Sequence, residues 1–213
     1  MKKETLLVLS AHTDDFVLGA GGMIITAIQE GKKVIPIVFS LGEKSHFWMK
    51  DKVIKKVRAE ETFAATKLLK CREIVLDVKD GQIYTDYQDK NIEQRLLEII
   101  EKENPTKIFT HSNEDPHPDH RAVNKITLEL LEKTKLKPEV YIYSIWNPVS
   151  LKTSYPALYV DITTVFTLKM KALKMFQSQK VILSYPLLLL FIRNIIDGMR
   201  IRKRFAEKFY KIK

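Results

Sequence analysis

Two short segments of this 213-residue chain hold residue types that can do metal chemistry. In Ser10-Ala11-His12-Thr13-Asp14-Asp15 an imidazole and two carboxylates crowd together. His12 and Asp15 are three positions apart, close enough around a turn to share one metal ion, while Asp14 points elsewhere. In Asp115-Pro116-His117-Pro118-Asp119-His120 two imidazoles are also three apart, at the predicted start of a helix, so both can face one cleft. Two His and one carboxylate suit a catalytic zinc site, which leaves a coordination position open for water. A structural zinc finger is excluded, because Cys71 is the single cysteine. Zinc brings the pKa of its water toward about 7, and a free carboxylate beside it can act as general base. Asp14 is the candidate for that role. An Asp at a helix start is ordinarily an N-cap, and a lone His is ordinarily solvated or packed in a core. Two such clusters, each following a strand of one sheet, are hard to explain as independent caps.

The elements that must position these residues alternate in type. Strand-like runs rich in Val, Ile and Phe are predicted at residues 6–10, 34–39, 73–78, 107–111 and 139–145, with one more at 159–162. Between them, residues 16–30, 51–69, 91–103 and 118–133 carry apolar residues at spacings of three and four, the mark of amphipathic crossover helices. The pattern predicts an α/β fold, a mostly parallel sheet flanked by helices, whose ligands bind at the carboxyl ends of the strands. Both chemical segments follow directly after predicted strands. Gly19-Ala20-Gly21-Gly22 is a weak dinucleotide signal, since Ile24 stands where a third small residue is needed. Those small residues are expected instead to let the first helix pack closely on the sheet.

A composition of 45% apolar and 29% charged residues is that of a globular chain able to bury a core. No internal repeat or linker marks a boundary, so residues 1–213 are read as one domain. The lone cysteine and the absence of a leader-like N-terminus point to a reducing, cytoplasmic setting. The net charge of +10 is lopsided: residues 193–213 hold eight basic and two acidic side chains, leaving only +4 for the rest. No nucleic-acid partner is therefore expected. Residues 181–213 are predicted to be a basic helical tail, with an apolar run too short to span a bilayer. It is either a core-packing helix followed by a solvated basic one, or an interfacial element making peripheral contact with anionic lipid or a lipid-linked sugar.

These residues resemble a known family, the N-acetylglucosaminyl-phosphatidylinositol de-N-acetylases (PIG-L) and LmbE-like proteins. Its Ala-His-Pro-Asp-Asp-Glu stretch is matched here by residues 11–16, and its His-Pro-Asp-His stretch by residues 117–120. Weaker matches are residues 17–22, 41–43, 58–61, 110–112 and 206–209. The resemblance implies a Rossmann-like LmbE fold and hydrolysis of the acetamide of an N-acetylglucosamine-type conjugate. It implies one zinc ion per chain on His12, Asp15 and His120, with Asp14 as general base and His117 at the tetrahedral oxyanion. Asp119 would orient His117, and Arg58 would contact substrate; an ordinary helix-surface charge is the alternative for Arg58. Two positions depart from the family pattern: Thr13 replaces Pro and Phe16 replaces Glu. Two rival readings are a metal-dependent phosphoesterase, which would need ligands for a second metal with His46 and His111 the only spare imidazoles, and a degenerate sugar-binding relative without turnover.

Overall fold

Leu6, Leu7, Val8 and Leu9 form an unbroken apolar run, which an extended chain can bury only if both of its faces are covered. In the computed structural model, which describes residues 3–45, 48, 50–89, 91–147, 154–180 and 184–213, this run is β1 (Thr5–Ser10) near the centre of a seven-stranded sheet. Leu6 and Val8 enter one core while Leu7 and Leu9 enter the other, the two-residue alternation of a strand. Val34 and Val38 against Ile35 and Ile37 repeat that division in β2 (Lys33–Val38). The first core is closed by α1 (Asp15–Gln29), α2 (Asp51–Leu69), α6 (Phe166–Leu173) and α7 (Ser184–Arg200). The second is closed by α3 (Ile83–Asp89), α4 (Ile92–Glu103) and α5 (Pro118–Lys133).

The remaining strands are β3 (Ile74–Val75), β4 (Lys107–His111), β5 (Glu139–Tyr143), β6 (Ala157–Asp161) and β7 (Ala206–Lys211). Their order is β3-β2-β1-β4-β5-β7-β6. The first five of these are mutually parallel, with Val8 facing Pro36 on one side and Phe109 on the other. Chain order runs outward in opposite directions from β1 and β4, so the crevice of this sheet lies where those two strands end. The sheet is the mostly parallel α/β arrangement expected.

Gly19 and Gly22 are small because α1 lies directly on the sheet. A Cβ on Gly19 would sit 2.2 Å from Cδ2 of Tyr143, and one on Gly22 would sit 2.4 Å from Cγ2 of Ile162. Two buried charges tie the same helix down. Glu207 of β7 accepts from the backbone N–H groups of Gly22 (2.8 Å) and Met23 (2.7 Å). Lys169 of α6, fully buried, donates to Glu207 (2.6 Å) and to the carbonyl of Leu18 (2.9 Å).

The structure corrects the sequence reading at its end. Residues 181–213 are not helical throughout: α7 is a helix, but Ala206–Lys211 is β7, antiparallel to β5 and β6. An inner strand covered on both faces lacks simple alternation, and its partners lie far away in sequence, so local pattern could not reveal it. The expected strand at 73–78 shrinks to Ile74–Val75, because Asp77 takes a left-handed φ of 57°. Leu76 and Val78 nevertheless still donate to Val38 and Phe39 of the neighbouring segment. α3 and α6 were not anticipated; both are short and lack a long periodic pattern. His46 and residues 181–183 of the tail lie outside the described residues.

Candidate active site

Each connection at the carboxyl end of the parallel strands delivers a polar side chain to one cleft. His12, Asp14 and Asp15 follow β1; Lys44 follows β2; Asp80 follows β3; His117 and Asp119 follow β4; and Trp146 follows β5. With Arg58 of α2 they line a cavity of about 340 Å³.

The turn after β1 is tied by its own side chains. Ser10 Oγ donates to the His12 carbonyl at 2.6 Å, and the His12 N–H donates to Asp15 Oδ2 at 2.7 Å. Asp14 occupies the N-cap position of α1, yet its side chain makes no capping hydrogen bond. Its carboxylate is thus spared for the cleft. Asp15 Oδ2 lies 3.3 Å from His12 Nδ1 and 3.3 Å from His120 Nε2. His12, Asp15 and His120 are all buried and each offers a donor atom within 4.8 Å of the others. These are the three residues expected to hold a metal.

The second segment builds the opposite wall. Pro118 occupies the first turn of α5, and His117 caps it, its Nδ1 accepting from the backbone N–H of Asp119 at 3.2 Å. That bond fixes the tautomer: the neutral ring carries its proton on Nε2. Asp119 therefore orients His117 through its backbone. Its carboxylate turns elsewhere, accepting from the Gly81 N–H at 2.8 Å and lying 3.4 Å from His12 Nε2. His12, His117 and Asp119 form a second, overlapping set of converging donors.

Asp115, quoted in the sequence motif without a role, is the partner of His120. Its Oδ1 lies 3.0 Å from His120 Nδ1 and accepts from the His117 N–H at 3.0 Å. Its Oδ2 accepts from the N–H groups of Ile145 and Trp146, at 3.3 and 3.1 Å. Carboxylates of this kind set the orientation of ligating imidazoles. Asp80 was missed altogether: its Oδ1 is 3.1 Å from His12 Nε2. The available signal was an Asp-Gly pair directly after a strand of a parallel sheet. His111, the other spare imidazole, is fully buried; its Nε2 accepts from the Ala11 N–H at 3.0 Å and lies 3.2 Å from the Tyr143 hydroxyl. It braces the turn from behind.

Arg58 is not a helix-surface charge. It is 2% exposed and donates from Nε (3.1 Å) and Nη2 (2.8 Å) to the hydroxyl of Thr13, with Asp14 Oδ1 at 3.4 Å. One departure from the family pattern is thereby explained, since Thr13 supplies an acceptor that proline lacks. The other, Phe16, is fully buried in the apolar core beside α1.

The cluster's field favours positive charge. Burial works against ionising His12, but Asp119, Asp15 and Asp80 outweigh it and hold the ring well above its usual pKa. His120 is likewise pushed up to about 9, burial being overcome by the charge of Asp15 and the bond to Asp115. His117 goes the other way, lowered by burial and by the charges of His12 and His120. Asp14 is raised by burial, with Arg58 opposing.

Residues 7–131 match the sequence profile of the PIG-L family, GlcNAc-PI de-N-acetylase. The chain belongs to this family. Similar proteins include the 4-oxalmesaconate hydratase of Pseudomonas putida, 27% identical over 86% of this chain and 77% of the relative. A probable N-acetyl-α-D-glucosaminyl L-malate deacetylase of Bacillus subtilis is 25% identical over 83% and 84%. Among solved structures, the N,N′-diacetylchitobiose deacetylase of Pyrococcus horikoshii shares the fold with a TM-score of 0.80 at 23% identity, covering 98% of this chain and 84% of that one. The structure of a 4-carboxy-2-hydroxymuconate hydratase from Pseudomonas putida has a TM-score of 0.82 at 23% identity, covering 99% of this chain and 96% of that one. This PIG-L chain is thus a member of an enzyme family whose similar relatives bear the names of deacetylases and of a hydratase.

Its residues fit a divalent metal. His120 Nε2 is completely buried, lies 3.3 Å from Asp15 Oδ2 without being aligned to hydrogen-bond it, and has no other polar partner. A buried imidazole nitrogen set beside a carboxylate in that way costs free energy unless a cation, a proton or a metal ion, sits between the two. The His, Asp, His donor set is one that zinc takes readily.

Proposed function

We propose that this chain is a zinc-dependent N-deacetylase that hydrolyses the acetamide, a linear amide, of an N-acetylglucosamine-type sugar conjugate, with one zinc ion held by His12, Asp15 and His120. The observation that carries the reading is the coincidence, in one cleft, of three buried converging donors, a carboxylate free of its capping bond, and an imidazole of fixed tautomer.

Zinc bound there would polarise the acetamide carbonyl and bring the pKa of a water it holds toward about 7. Asp14, made more basic by burial and aimed into the cleft, would serve as the general base that takes the proton of the attacking water. His117 donates from Nε2 to the carbonyl oxygen while negative charge builds on it. The backbone N–H of Asp119 keeps that ring in place. Asp14 then returns the proton to the sugar nitrogen as the C–N bond breaks, giving acetate and a free amine. Arg58, held by Thr13 beside Asp14, faces the sugar as it enters.

A second reading rests on a specific observation, the similarity to the 4-oxalmesaconate hydratase over 86% of this chain. Two cations, Lys44 and Arg58, line the cleft and would suit an unsaturated carboxylate, to which the same water would add. One experiment separates the readings. Zinc-loaded protein is given a panel of N-acetylated amino sugars, with free amine measured, and in parallel 4-oxalmesaconate, with its conjugated absorbance followed. Zinc-dependent amine release supports the deacetylase. Hydration without amine release overturns it, and neither reaction leaves the phosphoesterase and the sugar-binding relative.

A further inference from the structure

The chemistry above uses none of the outer face of α7, and that face is built the wrong way round for a helix facing water. The large side chains it turns outward are Tyr185, Leu188, Phe191, Ile192, Ile196 and Met199, with Leu188 58% and Met199 71% exposed. Two polar residues in the middle of the helix turn inward: Asn194 and Asp197 are buried. Asn194 Nδ2 donates to the Ala206 carbonyl at 2.8 Å, and Asp197 pairs with Lys208 at 3.5 Å. A helix that settles on a core and meets water on its other side has the reverse pattern. The exposed apolar residues recur at three or four positions, forming one stripe roughly 21 Å long at 1.5 Å per residue. Scattered exposed apolar side chains are ordinary, but a continuous stripe marks a surface that something covers.

Charge identifies what covers it. From Ser184 to Arg204 the only acidic residue is the buried Asp197, while Arg200, Arg202, Lys203 and Arg204 are all exposed where the helix ends. Three of these have partners that leave them at the surface: Arg200 donates to the Tyr159 hydroxyl, Lys203 pairs with Asp161 at 3.1 Å, and Arg204 lies over the Phe205 ring. Near the other end, Met170, Leu173, Phe176 and Leu187 line an apolar cavity of about 320 Å³ together with Lys174 and Lys180. Apolar surface flanked by cations is the composition that suits an anionic lipid layer. A second copy of the same face would bring like charges and no exposed carboxylate of α7 to pair with them. Tyr185 stacks on Trp146, which lines the cleft, so the stripe begins at the mouth of the site. No helix of the described residues is long and apolar enough to cross a membrane, so α7 would lie on one.

We propose that the outer face of α7 docks on an anionic lipid surface, its apolar stripe among the acyl chains and residues 200–204 on the headgroups, with the cleft mouth held beside the bilayer. The docking is independent of which reaction the cleft performs. The test is sedimentation of the full chain with vesicles of phosphatidylcholine alone or mixed with phosphatidylglycerol, at low and high salt, with light scattering of the free protein. Binding to the anionic vesicles at low salt is expected, weakening as salt screens the cations. Arg202→Gln with Lys203→Gln should weaken it roughly 30-fold, since each cation near such a surface contributes about fivefold. Leu188→Ser with Ile192→Ser, both at exposed positions, should weaken it by about 30-fold or more, with an unchanged thermal melt. The proposal is overturned if wild-type protein stays in the supernatant with anionic vesicles at low salt, or if the serine variant binds as wild type does. It is also overturned if the free protein is a dimer that the serine variant splits, because the face then belongs to a second copy.

Discussion

Replacing Thr13 by valine keeps the shape of a fully buried side chain and deletes one oxygen. That oxygen accepts two hydrogen bonds from Arg58, at 3.1 and 2.8 Å. The remaining partners of the guanidinium, the Gly42 carbonyl and Asp14 Oδ1, both lie at 3.4 Å, too far to make up the loss. A hydrogen bond to a charged group is worth about 1.5–3 kcal/mol, and a buried donor left unpaired also loses its solvation. Thr13→Val should therefore cost about 2–4 kcal/mol. For a chain of this size each kcal/mol moves Tm by about 2–4 °C, so a drop of roughly 4–16 °C is expected. In an Arg58→Met background the donors are gone, and the same change should cost less than about 1 kcal/mol. A double-mutant cycle from thermal and urea melts followed by circular dichroism should return a coupling of about 1.5–3 kcal/mol. Equal costs in both backgrounds would refute the reasoning, because Thr13 would then not be what holds Arg58 beside Asp14.

The other expectations concern the frame of the site and its metal. Lys169→Met leaves Glu207 charged in a dry core and should cost about 3–5 kcal/mol in urea melts, with partial recovery when Glu207→Gln is added. Gly19→Ala improves helix propensity by about 1 kcal/mol, yet its new Cβ would lie 2.2 Å from the Tyr143 ring, and overpacking costs about 1–3 kcal/mol. Net destabilisation and lost turnover are expected, since the Tyr143 hydroxyl holds the Leu9 carbonyl at 2.7 Å; a more stable variant would show the helix sits farther from the sheet. Zinc at a hundred times its Kd should add about 2.7 kcal/mol to wild-type stability by mass action, read as a rise in Tm, and add far less to His120→Ala. An equal rise in that variant would place the metal elsewhere.

Much of the site was legible because its chemistry is local. His12, Asp14 and Asp15 share one turn, and His117, Asp119 and His120 share another, so spacing gathers them, while the family resemblance assigns His117, Asp119 and His120 their separate roles. The parallel core was legible for the same reason: β1, β2, β4 and β5 are short apolar runs punctuated by amphipathic helices. What spacing cannot convey is contact between distant segments. Asp80 reaches His12 only because the parallel strands β3 and β1 end on the same side of the sheet, with a left-handed Asp77 between β3 and Asp80. Arg58 looks like any arginine on an amphipathic helix until α2 is laid against the turn after β1. β7 was hidden because its partners β5 and β6 come much earlier in the chain and its basic residues imitate a solvated helix. Phe16 and Thr13 looked like losses from a pattern, whereas one fills the core and the other makes new hydrogen bonds.

The central claim is that Asp14 and Asp15, adjacent in the chain, divide the work, Asp15 holding the metal and Asp14 moving the proton. The most direct test measures zinc content and amine release on the same preparations of wild type and Asp14→Asn. Asp14 makes no capping bond, so the variant should fold and keep about one zinc per chain. Its turnover should fall by about 10² to 10⁴, the usual loss when a general base is removed. An Asp14→Asn protein that is zinc-free, or one that holds zinc and turns over at nearly the wild-type rate, would contradict the account.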